Sequence, residues 1–253
     1  MTRYTLVGCY SRAWVFGDTL QEVDGNPLLL YNISPQDCQG QQHSEPMAIL
    51  YSYKMSHDDR FAPNPYFGVL TLATCMSRMR YNTPVGDWIA GWTSKHTSTS
   101  TEVGGEQLIY LANVSEKLTF AEYWDRYPSK RPGAGSEDNE ANEDTLEKTQ
   151  HGDNIYRPDP NAPSGLVLVD SVHRRPTDGK KIAKDIAGRY VLVCKEYYFF
   201  GAEHPLAVPP DIRPNVPKYQ SSYGNKTADP TSFIDYVRAH ARQCVETSLI
   251  INR

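Results

Sequence analysis

The sequence predicts an α+β fold: a partly closed β-barrel with flanking helices. Three observations carry this expectation. Tyr (17), Pro (18) and Gly (17) are abundant among 253 residues, a composition that favours short strands and many turns over a helical bundle. About six segments are rich in the aromatic and branched residues of strands. Two helix signatures fall at intervals among them, and strands so interrupted read as α+β rather than all-β.

Residues 48–55 (AILYSYKM) are the first expected strand, and 66–75 (YFGVLTLATC) the second, apolar enough to be buried on both faces. In VGDWIAGWTSK (85–95), Gly86 and Asp87 form the turn that opens a third strand. Side chains alternate along a strand, so Trp88, Ala90 and Trp92 face one way and Ile89 and Gly91 the other. Residues 107–118 (QLIYLANVSEKL) are a fourth strand. Thr119 then stands three residues before Glu122, a capping box, and predicts a helix that ends at Pro128. Strands return at 164–172 and 189–200, with a basic stretch between them (Arg174, Arg175, Lys180, Lys181, Lys184). The proline-broken run after residue 202 is extended. Phe233, Val237, Ala241, Val245 and Leu249 recur every four residues and predict a C-terminal helix with one apolar face.

Two parts stand apart. Residues 1–46 form an N-terminal extension of mixed short apolar runs and turns, ahead of a main domain at 47–253. Residues 133–150 hold six acids between 137 and 147 and lack aromatics. Such a segment buries too little apolar surface to offset its ordering entropy, so it is expected to be a mobile acidic insertion.

Bulk properties exclude several classes. Without a run of about 18 apolar residues no membrane span is expected, and the N-terminus lacks a secretory layout. Cys9, Cys38, Cys75, Cys194 and Cys244 are odd in number and widely spread. They fit free thiols in a cytoplasmic protein better than a disulfide framework or structural zinc. The seven His residues make no metal pair, so no metal or cofactor is expected. No G-x-S-x-G, P-loop, G-x-G-x-x-G or H-E-x-x-H motif occurs. The net charge of −4 hides a split: residues 133–172 carry nine acids against two bases, and 173–253 thirteen bases against eight acids. A basic third could meet phosphates, but a charge this modest is more often an ordinary solvated face.

Candidate site residues follow from local chemistry. Asn64 lies between Pro63 and Pro65, so its amide is either held ready to read a base edge or bonded into its own turn. Cys75, within an apolar strand, reads as core. HGDNIY (151–156) gathers His151, Asp153, Asn154 and Tyr156 beside the acidic insertion, where binding sites tend to lie. Trp88 and Trp92 are about 13 Å apart along a strand at ~3.3 Å per residue. One base cannot touch both; Trp88, beside the Gly-Asp turn, is expected to be a stacking wall and Trp92 core.

The order YSYKM, FAPNPYFGVLTLATC, VGDWIAGWTSK, LIYLANVSEKLTFAEYW, GDNIY and YYFFG resembles the second family of nucleotide modification associated domains, known from bacterial and phage gene neighbourhoods that encode modified-base systems. The resemblance spans about residues 49–203 and implies an accessory role in nucleotide or nucleic-acid modification. By fold analogy it also implies a barrel similar to the PUA, ASCH and EVE domains, which hold a base in an aromatic-walled pocket. On that footing the expected function is binding of a nucleotide or a modified base in nucleic acid, with base-modifying enzymes as partners. Phe61 and Trp88 would be apolar walls; Asn64, Asp87, Asp153 and Asn154 would read the base edge or ribose; Ser94, Lys95 and Tyr156 would hold phosphate or sugar. Two alternatives stay open: an enzyme with Asp87 or Asp153 as general base and His151 as its partner, and a protein-interaction module that uses the basic C-terminal region.

Overall fold

The computed structural model describes residues 47–97, 105–133, 150–219, 224–243 and 250–252, all within the unit Pro46–Arg253. The N-terminal extension and the acidic residues of the insertion lie outside the described residues. The domain is mixed α and β, with three sheets and four α-helices among the described residues. Among the described residues no helix is long and apolar enough to cross a membrane.

The larger sheet has six strands in the order β10-β1-β3-β4-β9-β11. These are β1 (Ile49–Lys54), β3 (Trp88–Trp92), β4 (Leu108–Asn113), β9 (Tyr197–Phe199), β10 (Asn225–Ala228) and β11 (Ile250–Asn252). Only β1 and β3 run parallel; every other pair is antiparallel. A smaller antiparallel sheet orders β2 (Leu70–Leu72), β8 (Tyr190–Cys194) and β5 (Glu116–Thr119) as β2-β8-β5. β6 (Tyr156–Pro158) and β7 (Leu166–Leu168) form a third, two-stranded sheet.

The strand expected at 107–118 is two strands in different sheets, and so is the one at 189–200. The chain turns the corner at Val114–Ser115 and again at Lys195–Glu196. The two corners are stitched together by Asn113 N–H donating to the Glu196 carbonyl (2.9 Å) and Ser115 N–H to the Val193 carbonyl (2.8 Å). Among the described residues the larger sheet keeps two open edges, β10 and β11, so the strands do not close into a barrel.

Three apolar layers follow from alternation. Tyr51, Tyr53, Ile89 and Ala112 of the larger sheet pack on Leu70, Leu72 and Leu192 of the smaller one. The opposite face carries Leu50, Trp88, Ala90, Trp92 and Leu111 against Phe233, Ile234, Val237 and Ala241 of α4 (Thr231–Gln243). The far side of the smaller sheet packs Val191 and Val193 under Phe120 and Tyr123 of α2 (Phe120–Arg126). The expected capping box of α2 is present, with Thr119 accepting from Glu122 N–H and the Glu122 carboxylate from Thr119 N–H. The C-terminal helix is present through Gln243, whereas Val245 and Leu249 fall outside the described residues.

Two helices had no expectation behind them: α1 (Ser77–Asn82) and α3 (Gly179–Ile186), the latter inside the basic stretch. Both matter for the site. The second expected strand is correspondingly shorter, only Leu70–Leu72, so Cys75 leaves the sheet and sits on the turn into α1. Cys75 and Met76 there adopt positive φ (56° and 34°).

Candidate functional site

Two polar clusters draw on the residues singled out by the sequence. The first is interior. The Asp153 carboxylate is fully buried and accepts from the Thr71 hydroxyl (2.7 Å) and the Tyr123 hydroxyl (2.6 Å). Lys130, equally buried, donates to the Asn64 carbonyl (3.0 Å), the Asn64 Oδ1 (2.7 Å) and the Val69 carbonyl (2.7 Å). Burial lowers the Lys130 ammonium to about 7 and raises the Asp153 carboxyl, and their mutual attraction opposes both shifts. Asn64 Nδ2 donates to the His151 carbonyl (2.8 Å), and its Oδ1 also accepts from Tyr66 N–H (3.2 Å). Asn154 Nδ2 donates to the carbonyls of Tyr123 and Tyr127 (both 3.0 Å). Gly152 admits this packing, because a Cβ there would overlap the backbone of Lys130 to Pro132.

Asn64, Asp153 and Asn154, expected to read a base edge, here bond the protein's own groups. Trp88, expected to be a stacking wall, lies in the interior. It is 5% exposed and packs in the α4-side core with the Arg238 guanidinium 5.5 Å over its ring, so no open stacking face remains. Trp92 is core as expected, stacked on Phe233 at 5.7 Å.

Asp87 does not converge with His151 or Asp153: its Oδ1 accepts Ile49 N–H (3.0 Å) at the start of β3. Tyr156 is buried and donates to Asp185 Oδ2 (3.0 Å). Ser94 and Lys95 lie on the turn beyond the other end of β3. Ser94 N–H donates there to Thr97 Oγ1 (2.8 Å), which also reaches the Met55 carbonyl (3.3 Å), and Lys95 is exposed.

The second cluster surrounds a cavity of about 340 Å³, within the size range of small-molecule sites. Tyr53, Met55, Phe61 and Ala62 give it apolar surface; His57, Asp59, Cys75 and His173 give it polar groups; Lys54, Arg174, Lys181 and Lys184 give it positive charge. Of the expected ligand contacts, Phe61 alone is in this lining. Its ring stacks on His173 at 4.2 Å, with planes 17° apart.

Asp185 of α3 builds the floor. Its Oδ1 accepts Cys75 N–H (2.7 Å), and its Oδ2 accepts from Arg174 Nε (2.8 Å) as well as from Tyr156. Burial alone would lower the Arg174 guanidinium, but the bond and charge of Asp185 outweigh it and hold the group above its ordinary value. Arg174 Nη2 lies 3.5 Å from Cys75 Sγ. Buried Arg80 binds the same turn from beneath, donating to the carbonyls of Cys75 (2.9 Å), Tyr190 (2.6 Å) and Asp185. Gly188 makes room for it, since a Cβ would collide with that guanidinium.

At one side His173 Nδ1 is 3.5 Å from the Asp59 carboxylate, and its Nε2 is 2.9 Å from His151 Nδ1. Burial lowers the His173 pKa, Asp59 opposes the shift, and His151 and Arg174 reinforce it. His151 therefore has an ionisable partner, though it is His173 rather than Asp87 or Asp153. Among the described residues no group of three His, Cys, Asp or Glu is arranged to hold a metal ion.

Sequence reading missed Cys75, Arg174, Lys181 and Lys184 as a unit. The signal was there, in a basic stretch whose Lys181 and Lys184 fall one helical turn apart.

Comparison with known proteins agrees with the motif order. Residues 47–248 match the model of nucleotide modification associated domain 2. The chain belongs to that family. The match spans every element from β1 to α4, and with them the whole cavity. No curated protein and no solved structure matches the chain.

Proposed function

We propose that this nucleotide modification associated domain binds a nucleotide in the cavity beside Cys75. The observation that carries the reading is the gathering of Arg174, Lys181 and Lys184 on one cavity whose lining also includes Phe61, Tyr53 and Met55, each at most 3% exposed as the cavity now stands. Cations suit phosphate oxygens, and Arg174 is oriented for them by Asp185. Aromatic and thioether groups suit a base. Nucleotide binding in turn fits the family's association with nucleotide modification.

Calorimetric titration of purine and pyrimidine nucleoside 5′-monophosphates, beside the matching nucleosides, tests this. Monophosphates should bind more tightly than nucleosides, and Lys181→Ala with Lys184→Ala should cost about tenfold, the loss of roughly 1.4 kcal/mol. Nucleosides that bind as well as their monophosphates would remove the phosphate role from these lysines.

A catalytic reading is favoured by one further observation, the line Asp59, His173, His151 at the cavity wall. A neutral His173 that turns its Nδ1–H toward Asp59 accepts His151 Nδ1–H at its Nε2, and this leaves Nε2 of His151 as the base. If the site is catalytic, chromatography of nucleotides incubated with the protein should reveal product. Its formation should fall as pH drops and His173 protonates, and should be lost in His173→Ala.

A further inference from the structure

The cavity does not end at its own rim. Met76 lines it, and Ser77, the next residue, lines a second hollow of about 380 Å³ with Arg78, Tyr81, Asn82, Ala187 and Arg189. The two hollows are thus flanked by the same two helices, α1 and α3. Along α3, Lys181 and Lys184 face the first hollow and Ala187, the cap residue, faces the second. From Lys181 to Ala187 the helix rises about 9 Å at 1.5 Å per residue. That distance exceeds the ~3.4 Å axial rise per nucleotide of a stacked strand, so the path is longer than one nucleotide step.

The second hollow has a surface the first lacks. Tyr81 is 47% exposed, one of the few large aromatic side chains so open among the described residues. The Arg189 guanidinium lies 5.7 Å from its ring, and Tyr190 lies 6.1 Å away at 40°. Lys117 covers the Tyr190 ring at 4.9 Å and is held there by the carbonyls of Tyr81 (2.6 Å) and Thr83 (3.2 Å). An exposed ring set among cations is the arrangement by which proteins stack the bases of single strands while neutralising the backbone. The acids near this path, Asp178 and Asp185, are engaged with Lys181 and Arg174.

We propose that the domain's ligand is a single-stranded polynucleotide, with one nucleotide in the cavity, the adjoining backbone along α3, and a neighbouring base stacked on Tyr81. This rests on the nucleotide-binding reading of the cavity and extends it to a substrate class. A free nucleotide would leave the outer hollow unused, and a regular duplex could not present an unpaired base to either.

Fluorescence anisotropy with labelled dT10 and U10, a matching DNA duplex and the full chain tests the proposal, beside calorimetry with nucleoside monophosphates. The single strands should bind at least tenfold more tightly than the monophosphates and than the duplex, with a steeper salt dependence than the monophosphates. Tyr81→Ala should weaken strand binding about tenfold, Tyr81→Phe should restore it, and Arg189→Asn, which tolerates the positive φ at that position, should weaken it less. Monophosphate affinity should be unchanged in all three. Strand binding unaffected by Tyr81→Ala, or a duplex that binds equally well, would overturn the proposal while leaving the cavity reading intact. Absence of monophosphate binding in the wild-type chain would instead overturn the cavity reading.

Discussion

Segments 59–64 and 151–154 each feed two clusters. Asp59 and Phe61 face the cavity while Asn64 turns inward; His151 meets His173 at the cavity wall while Asp153 and Asn154 are buried. The residue types are alike, yet the partners differ. In the interior, Thr71 and Tyr123 bond Asp153, and Lys130 bonds the carbonyls of Asn64 and Val69. At the cavity, Lys181 and Lys184 remain largely exposed, and His173 shares its ring nitrogens between an acid and another imidazole. A polar group that is already fully bonded in a low-dielectric interior specifies the fold. One that keeps access to water is free to serve a ligand.

The sharpest way to break this contrast is Lys130→Met. It removes a donor from three oxygens and takes away the Lys130 charge that favours the Asp153 carboxylate, so it should destabilise the domain by roughly 3–5 kcal/mol, the cost of removing one member of a buried set of charges. Chemical denaturation reads this directly. A change below about 1 kcal/mol would show that the interior cluster is not what holds these segments.

Trp88→Ala comes next, at about 3 kcal/mol, the low end for a buried tryptophan. Nucleotide affinity of the surviving folded protein should match wild type. Lost affinity with unchanged stability would instead place Trp88 in the ligand's path.

The interior pair also predicts a pH signature. Lys130 stands near 7 in the folded chain against about 10.4 when exposed. Between those values the unfolded chain binds the extra proton, so this group makes stability rise with pH across the window. Asp153 acts oppositely: its raised carboxyl binds protons more tightly when folded, so its contribution falls as pH climbs from the ordinary carboxylate value through the raised one. Urea midpoints at pH 7 and 9.5 should separate in wild type, and the separation should shrink in Lys130→Met.

Smallest in stability is Lys184→Ala, on an exposed face, within about 0.5 kcal/mol. Its effect belongs to affinity. A clear loss of stability would blur the line between the clusters.

Much of the fold was legible in the sequence because its signals are local. The capping box at Thr119, the Gly86-Asp87 turn and the four-residue spacing of Phe233, Val237 and Ala241 need only near neighbours, and each is present. The corners at Val114–Ser115 and Lys195–Glu196 were not legible. They arise where two distant strands leave one sheet together, which no single run of residues records. Where the site's side chains point was not legible for the same reason. Asn64 looks presented by its prolines, but Lys130 and His151, 66 and 87 residues away, decide where its amide points. Cys75 belongs to an apolar run that reads as one strand, but the strand ends at Leu72 and the chain bends at Cys75 and Met76 into α1.

One pairing has a consequence for synthesis. β1 is paired on one side with β3, which follows soon after, and on the other with β10, where Ile49 meets Ala228. On the ribosome the outer edge of β1 therefore waits, bare, until nearly the whole domain has emerged. Sequence-distant pairing of this kind is slow, and an unpaired edge recruits other strands. Chains truncated before residue 225 should thus aggregate, where chains that retain β10 do not.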